Sequence, residues 1–521
     1  MKVFYTRKKT VIGIGIGLIV IVLLIAGGII LLHSKAVPKD EGLKVQSTVV
    51  TSKATEFIQQ KTPALTQYEM TVDFNAEKKI IFCSQKTLFK NNEKIPLREV
   101  FLHLYPNAYK YKDKVPFSEI ELQEAYPNGF SSGSLTLKNV MVQNKKAIFF
   151  VEGKSEDLLR IPLVQELQPG QVIQLNMTYE VKLPNSLGRF GYGSYTYNVA
   201  NWYPIVSVYD QTGWNNDPYY AIGDPFYSDV ADYKVSITAP KDQIIATTGT
   251  ITRKINEGDH IKWEIDAKNV RDFAWVSSNQ FKILSRRVNG VEVNSYCFSD
   301  AVAEKALDYG MEAIRIFGNT FGVYPYSQFS VVEADFFIGG MEYPNMVMID
   351  KSMYNKEAIK WLEFVIAHEA GHQWWYGVVG NNEVDEAWLD EALTEYSTIL
   401  YYGERYNQQR EETMFQDMVV NQSYNRLKLS ENSPHPVEII DQPVYKFKDL
   451  WQYDSLVYGK GAMMFRDLNK QMGDRNFTTF LRTYYQKYQY ANVTKKDLIA
   501  TCNAVTGKKW EPFFDQWLYG K

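Results

Sequence analysis

His368, Glu369 and His372 spell His-Glu-x-x-His at the head of the stretch AHEAGHQWWYGVVGNNEVDEAWLDEALTEY, residues 367–396. On a helix, side chains at i and i+4 stack on one face about 6 Å apart, so both imidazoles can reach a single metal ion. Glu369 follows the first histidine and sits beside that face, where its carboxylate can take a proton from water. A catalytic zinc usually takes three protein ligands and keeps one position open. Glu391, in Trp-Leu-Asp-Glu-Ala-Leu, supplies the third if a second helical turn points it back at the same ion. With 6 histidines in 521 residues, chance would produce the pattern in well under roughly one chain in a hundred. The chemistry these residue types support is hydrolysis assisted by Zn2+, one ion per chain.

The surroundings narrow this. HEAGHQWWYG and WLDEALTEY, with Gly339-Gly340-Met341-Glu342-Tyr343-Pro344 upstream, resemble the aminopeptidase N family of zinc metallopeptidases. The upstream block is similar to the family's G-x-M-E-N motif, with Tyr343 where the family has Asn. The resemblance implies that Gly339, Gly340 and Met341 form a substrate-binding loop and that Glu342 holds the substrate's free α-amino group. A carboxylate at the closed end of a groove pairs with an ammonium and fixes how many residues lie beyond the scissile bond. Residues 453–462, YDSLVYGKGA, resemble the family's Y-x-K-G-A segment. That implies that the Tyr458 hydroxyl faces the zinc site, where it can donate to the oxyanion of amide hydrolysis. Ser433-Pro434-His435-Pro436 resembles the family's H-P segment, with His435 supporting the cleft wall. One family element is missing: T-Q-x-E or Q-x-Q, a second anchor for the amine, is replaced by Ser194-Tyr195-Thr196-Tyr197-Asn198. Glu395 and Asp390 stay open between orienting a ligand and being ordinary carboxylates.

These groups need a scaffold. Residues 62–285 alternate apolar and polar side chains in runs such as Tyr68–Phe74, Val100–Tyr105 and Tyr233–Thr238, separated by Pro, Gly and Asn clusters, which predicts an antiparallel β domain. NWYPIVSVYD and DPFYSDVADYKVSITAPKD within it resemble the family's N-terminal β domain. From Asp300 the period becomes helical to about Phe317, a strand follows at Phe329–Val332, and the metal helix is expected from about Lys356 to Gly377. The remainder reads as mostly helical, with a capping box at Thr494–Asp497. The fold class is α+β, and the resemblance implies a thermolysin-like catalytic domain over residues 286–521.

The chain opens with a 10-residue basic tail and 22 uncharged residues, Val11–Leu32. That run matches a hydrocarbon core of about 30 Å. Lys2, Arg7, Lys8 and Lys9 place the tail in the cytoplasm and the rest outside. The expectation is a single-pass cell-membrane anchor, with a cleaved signal peptide as competitor, followed by a polar linker over 33–61. Cys83, Cys297 and Cys502 are odd in number and form no C-x-x-C, so no disulfide framework or cysteine metal site is indicated. A net charge of −3 without a basic stripe indicates no nucleic-acid partner. Asn176, Asn421, Asn476 and Asn492 head N-x-S/T sequons. Family members usually continue into a helical domain capping the cleft, so the resemblance implies a more open site here. The reading is a zinc aminopeptidase acting on peptides with a free N-terminus; no oligomeric state is implied. A zinc endopeptidase or other zinc hydrolase on this scaffold is the alternative, and a non-catalytic surface binding protein the third.

Overall fold

The computed structural model describes residues 65–427 and 438–520. The tail, transmembrane run and linker read over residues 1–61 lie outside the described residues, as does His435. Among the described residues, no helix is long and apolar enough to cross a membrane.

Alternating burial shapes the first half. Thr66–Asn75 buries Tyr68, Met70, Val72 and Phe74 and turns the residues between them outward, as a strand with one face on a core does. It lies inside an eight-stranded sheet ordered Thr250–Glu257, His260–Val270, Ala231–Pro240, Thr66–Asn75, Ile80–Lys90, Val172–Lys182, Ser134–Val142, Lys145–Lys146. One pair departs from the antiparallel expectation: Thr66–Asn75 runs parallel to Ala231–Pro240, Thr66 opposite Ala231 and Asp73 opposite Thr238. Parallel neighbours need a long crossover, and the chain between them, which builds most of this half, supplies it. Two four-stranded sheets share its apolar core through Leu102, Leu159, Val199 and Trp275. His103 is part of this core; burial pushes its imidazole down to about 4, against a contact with the Asn215 carbonyl. His260 is exposed at a strand start.

The second half is built on Lys282–Val288 (β1), Val291–Cys297 (β2), Gln328–Ala334 (β3), Gly340–Met341 (β4) and Met346–Asp350 (β5), in the order β1-β2-β3-β5-β4. This sheet opens at Lys282, slightly ahead of the boundary at 286 read from the sequence. β2, β3 and β5 are parallel, and β4 is an antiparallel edge. Val331, Val347 and Ile349 join the helical core, whereas Val332, Ala334, Met346 and Met348 join the β core. The sheet is the partition between two cores, which is why β3 and β5 are near-continuous apolar runs.

Asp300–Thr320 (α1), Ile359–Gly371 (α2) and Trp388–Arg405 (α3) pack on the helical side. α2 buries every residue from Trp361 to Gly371, as expected of a helix apolar all round. It stops before Gly377. The Gly377 N–H returns to the His372 carbonyl (2.8 Å), Tyr376 takes a φ of +118°, and Arg271 from the β half donates Nε to the Tyr376 carbonyl. A tyrosine in that region is strained, and the interdomain bond holds it there. Gly461–Met472 (α4), Asp474–Lys487 (α5), Lys495–Thr506 (α6) and Glu511–Tyr519 (α7) complete the described chain. The Asp497 carboxylate accepts from the Thr494 N–H (2.9 Å) and hydroxyl (2.8 Å) at the head of α6. Cys83, Cys297 and Cys502 are buried and form no disulfide among the described residues.

Candidate active site

α2 delivers His368 and His372, and the first turn of α3 delivers Glu391. His368 Nε2 and His372 Nε2 are 3.1 Å apart, and they lie 3.2 and 3.1 Å from Glu391 Oε2. Donors about 2.0–2.1 Å from a tetrahedral ion stand about 3.3 Å from one another, so the three atoms are spaced as zinc requires. The far ring nitrogens agree. His372 Nδ1 lies 3.0 Å from the Trp375 carbonyl, and His368 Nδ1 lies 3.0 Å from Glu395 Oε2, although out of line for a hydrogen bond. A proton kept on Nδ1 by such partners leaves the Nε2 lone pairs converging on one point. Glu395 is thus within reach of a ligating ring. Asp390 accepts from Asn381 Nδ2 (3.1 Å), and its carboxylate also lies with Glu342 and His372 in a second group of ligand atoms within 4.8 Å of one another.

The other residues read from the sequence lie around the same cavity, whose volume is about 40 Å³: Gly340, Glu342, Glu369 and Tyr458 line it with the three donors. The Glu369 carboxylate approaches the backbone of Gly340, where any Cβ would collide with it; glycine is required there by space rather than by backbone angle. Gly339, at φ +104°, makes the turn into β4 that brings the edge strand over α2. Burial pushes the Glu369 carboxyl up to about 8; His368 opposes and Glu342 adds to the shift. Burial also raises Glu342, with His372 opposing. Glu342 is 3% exposed, and its Oε1 has no hydrogen-bond partner. Tyr458 sits on a π-helical turn, Asp454–Lys460, with its hydroxyl donating to Glu391 Oε1. Burial, and then the Glu391 charge, hold that phenol well above its ordinary range, so it remains a donor. Met341 is buried against Arg189, whose Nε lies 3.0 Å from its sulfur.

Residues 305–517 match the peptidase family M1 domain. It is 26% identical over 239 residues to Aminopeptidase M1-C of Oryza sativa subsp. japonica, covering 44% of this chain and 26% of the relative. It is 22% identical over 410 residues to Aminopeptidase N of Lactococcus lactis subsp. lactis, covering 74% of this chain and 46% of the relative. The chain therefore spans less than half the length of these curated relatives. An M1 zinc metallopeptidase from Deinococcus radiodurans superposes with a TM-score of 0.61 at 14% identity, covering 88% of this chain and 95% of that one, so the two share a fold.

At this site, Arg189 and Asp224 are the residues that the sequence did not reveal. Both line the cavity, both come from connecting segments of the β half, and they form a buried ion pair. Burial pushes the Asp224 carboxyl up to about 7; Arg189 opposes this, while Glu342 and Glu391 add to it. The only sequence signal was the DPFYSD segment that Asp224 opens. The Ser194–Asn198 stretch does not line the cavity. The N–H of Thr196 donates to Asp335 Oδ2 (3.2 Å), and Asn198 Nδ2 donates to the carbonyls of Gly188 (3.0 Å) and Asp335 (2.8 Å).

Proposed function

We propose that this chain is a zinc-dependent aminopeptidase that hydrolyses the N-terminal peptide bond of peptides. The observation that carries the reading is Glu342, a buried carboxylate with an unpartnered oxygen in the cavity that also holds His368, His372, Glu391 and Glu369. A group placed so needs a cation, and a peptide's α-ammonium is the cation that positions its first carbonyl at the metal site. The aminopeptidases among the matched relatives support the reading.

Zinc held by His368, His372 and Glu391 would supply Lewis acidity to the scissile carbonyl and to water. Glu369 accepts the proton of the attacking water and hands it to the departing amine, a shuttle suited to a carboxyl lifted towards neutrality. Tyr458 releases its bond to Glu391 and donates to the developing oxyanion. Glu342 keeps the ammonium fixed throughout, so that one residue is removed at a time.

The localisation we propose is a single-pass membrane anchor at Val11–Leu32 with the catalytic half outside the cytoplasm. It is supported by the length of that run and by the basic residues before it.

The test follows one peptide, offered with a free and with an acetylated N-terminus, by mass spectrometry. Stepwise loss of single residues from the free peptide alone is expected. Internal cuts in both peptides would make the protein an endopeptidase and remove the role of Glu342.

A further inference from the structure

We infer that Tyr343, Asn201 and Asp272 form a buried string through which the β half holds Glu342 in place for the substrate amine. The inference rests on the aminopeptidase reading and adds positioning residues to it.

Tyr343 stands where the related motif has Asn, and it does not face the cavity. Its side chain is 0% exposed, and its hydroxyl donates to Asn201 Oδ1 (3.0 Å). Asn201 Nδ2 donates to Asp272 Oδ2 (2.8 Å). Asp272 Oδ1 is held in turn by the Phe273 N–H (2.6 Å) and the Tyr203 hydroxyl (2.8 Å). Asn201 takes a φ of +50°, a region that asparagine tolerates better than most residues, so the bend that aims its amide is built into the backbone. On the other side, Gln373, the residue after His372, donates Nε2 to the Glu342 carbonyl (3.1 Å) and accepts from the Asn345 N–H (2.6 Å).

The Glu342 carbonyl is thus held by Gln373, just past the end of the metal helix, and the next residue in the chain is held by the β half, while Glu342 Oε1 is left unbonded. A carboxylate that must be free for an incoming ammonium cannot be oriented by bonds of its own. Its position has to come from its neighbours, and a small displacement costs binding at that end of the substrate. Tyr343, Asn201 and Asp272 touch no substrate in this arrangement; they act through Glu342.

The experiment compares Tyr343→Phe, which keeps the ring and removes the hydroxyl, with Tyr179→Phe, which removes a buried bond of the same β core outside the string, from the Tyr179 hydroxyl to Gln85 Oε1 (2.8 Å). Tyr343→Phe is expected to raise KM for a free-amine peptide on the order of tenfold, with kcat and zinc content near wild type. A free amino acid, added as a competitor, should lose affinity in parallel, whereas its N-acetyl counterpart should not respond. Tyr179→Phe should leave KM unchanged. Asn201→Gly, which suits the positive φ and deletes the amide, should reproduce the Tyr343→Phe effect and guards against a failure of that variant to fold. An unchanged KM in Tyr343→Phe and Asn201→Gly, or equal shifts in Tyr179→Phe, would overturn the inference. A wild-type protein that shows no preference for free N-termini would instead overturn the aminopeptidase reading, which separates the two failures.

Discussion

Glu369 is held between opposing demands: burial lifts its proton affinity, while its neighbours on α2 draw the proton away. Replacing it with Gln keeps the size and much of the hydrogen bonding but removes the exchangeable proton. Glu369→Gln should retain one zinc per chain by atomic absorption and lose kcat on the order of a thousandfold. Near-wild-type turnover would remove Glu369 from the chemistry. The metal ligands were legible because H-E-x-x-H is a spacing signal, and helix geometry converts spacing into position. Asp224 and Arg189 were not legible. They sit in irregular segments of the β half, where no period ties a residue to a face, and only the folded chain brings them to the cavity. Tyr343 shows a further limit: the motif placed it correctly along the chain but could not say that its hydroxyl turns into the β core.

At the scale of elements, the contact between β4 and α2 decides whether the base and the amine anchor meet. The Glu369 carboxylate fills the space where a side chain at position 340 would begin. Gly340→Ala should therefore displace the carboxylate and lower kcat at least about tenfold, with zinc content unchanged. Normal turnover in that variant would mean that the edge strand can shift at little cost. β3 supplies a test of stability. Burial pushes the Glu333 carboxyl up to about 7, with the Phe298 N–H (2.9 Å) opposing. Below about pH 4.5 the group is protonated both folded and unfolded, and it costs nothing. As pH rises from there to about 7, the unfolded chain ionises first, so stability falls across that window. Glu333→Gln should flatten that part of the profile and raise the melting temperature at pH 8 but not at pH 4; equal shifts at both would refute the assignment. The middle of β3, Phe329–Val332, was readable as a strand. The end of α2 was not; the turn that follows it is held at Tyr376 by a bond from Arg271, about a hundred residues away in sequence.

At the scale of the molecule, Arg271 ties three separate parts together. It is 2% exposed, and it donates to the carbonyls of Tyr376, Ser228 (2.8 Å) and Ala491 (2.8 Å) and to the Asn492 side chain. Arg271→Met should lower unfolding stability by about 2–5 kcal/mol, because it leaves several buried acceptors without a donor. Urea denaturation would measure this, and a loss within error would show that water replaces the guanidinium. The Asn492 amide is engaged here as well, donating to Asp229 Oδ1 (2.8 Å). The partition sheet also has an evolutionary consequence. The residues that would hold the metal and the base come from the helices of the second half, whereas Asp224, Arg189, Asn201 and Asp272 come from the β half. Drift in the β half can therefore change which peptides are held while the bond-breaking apparatus is inherited intact, and descendants of such a protein can diversify in diet before they diversify in chemistry.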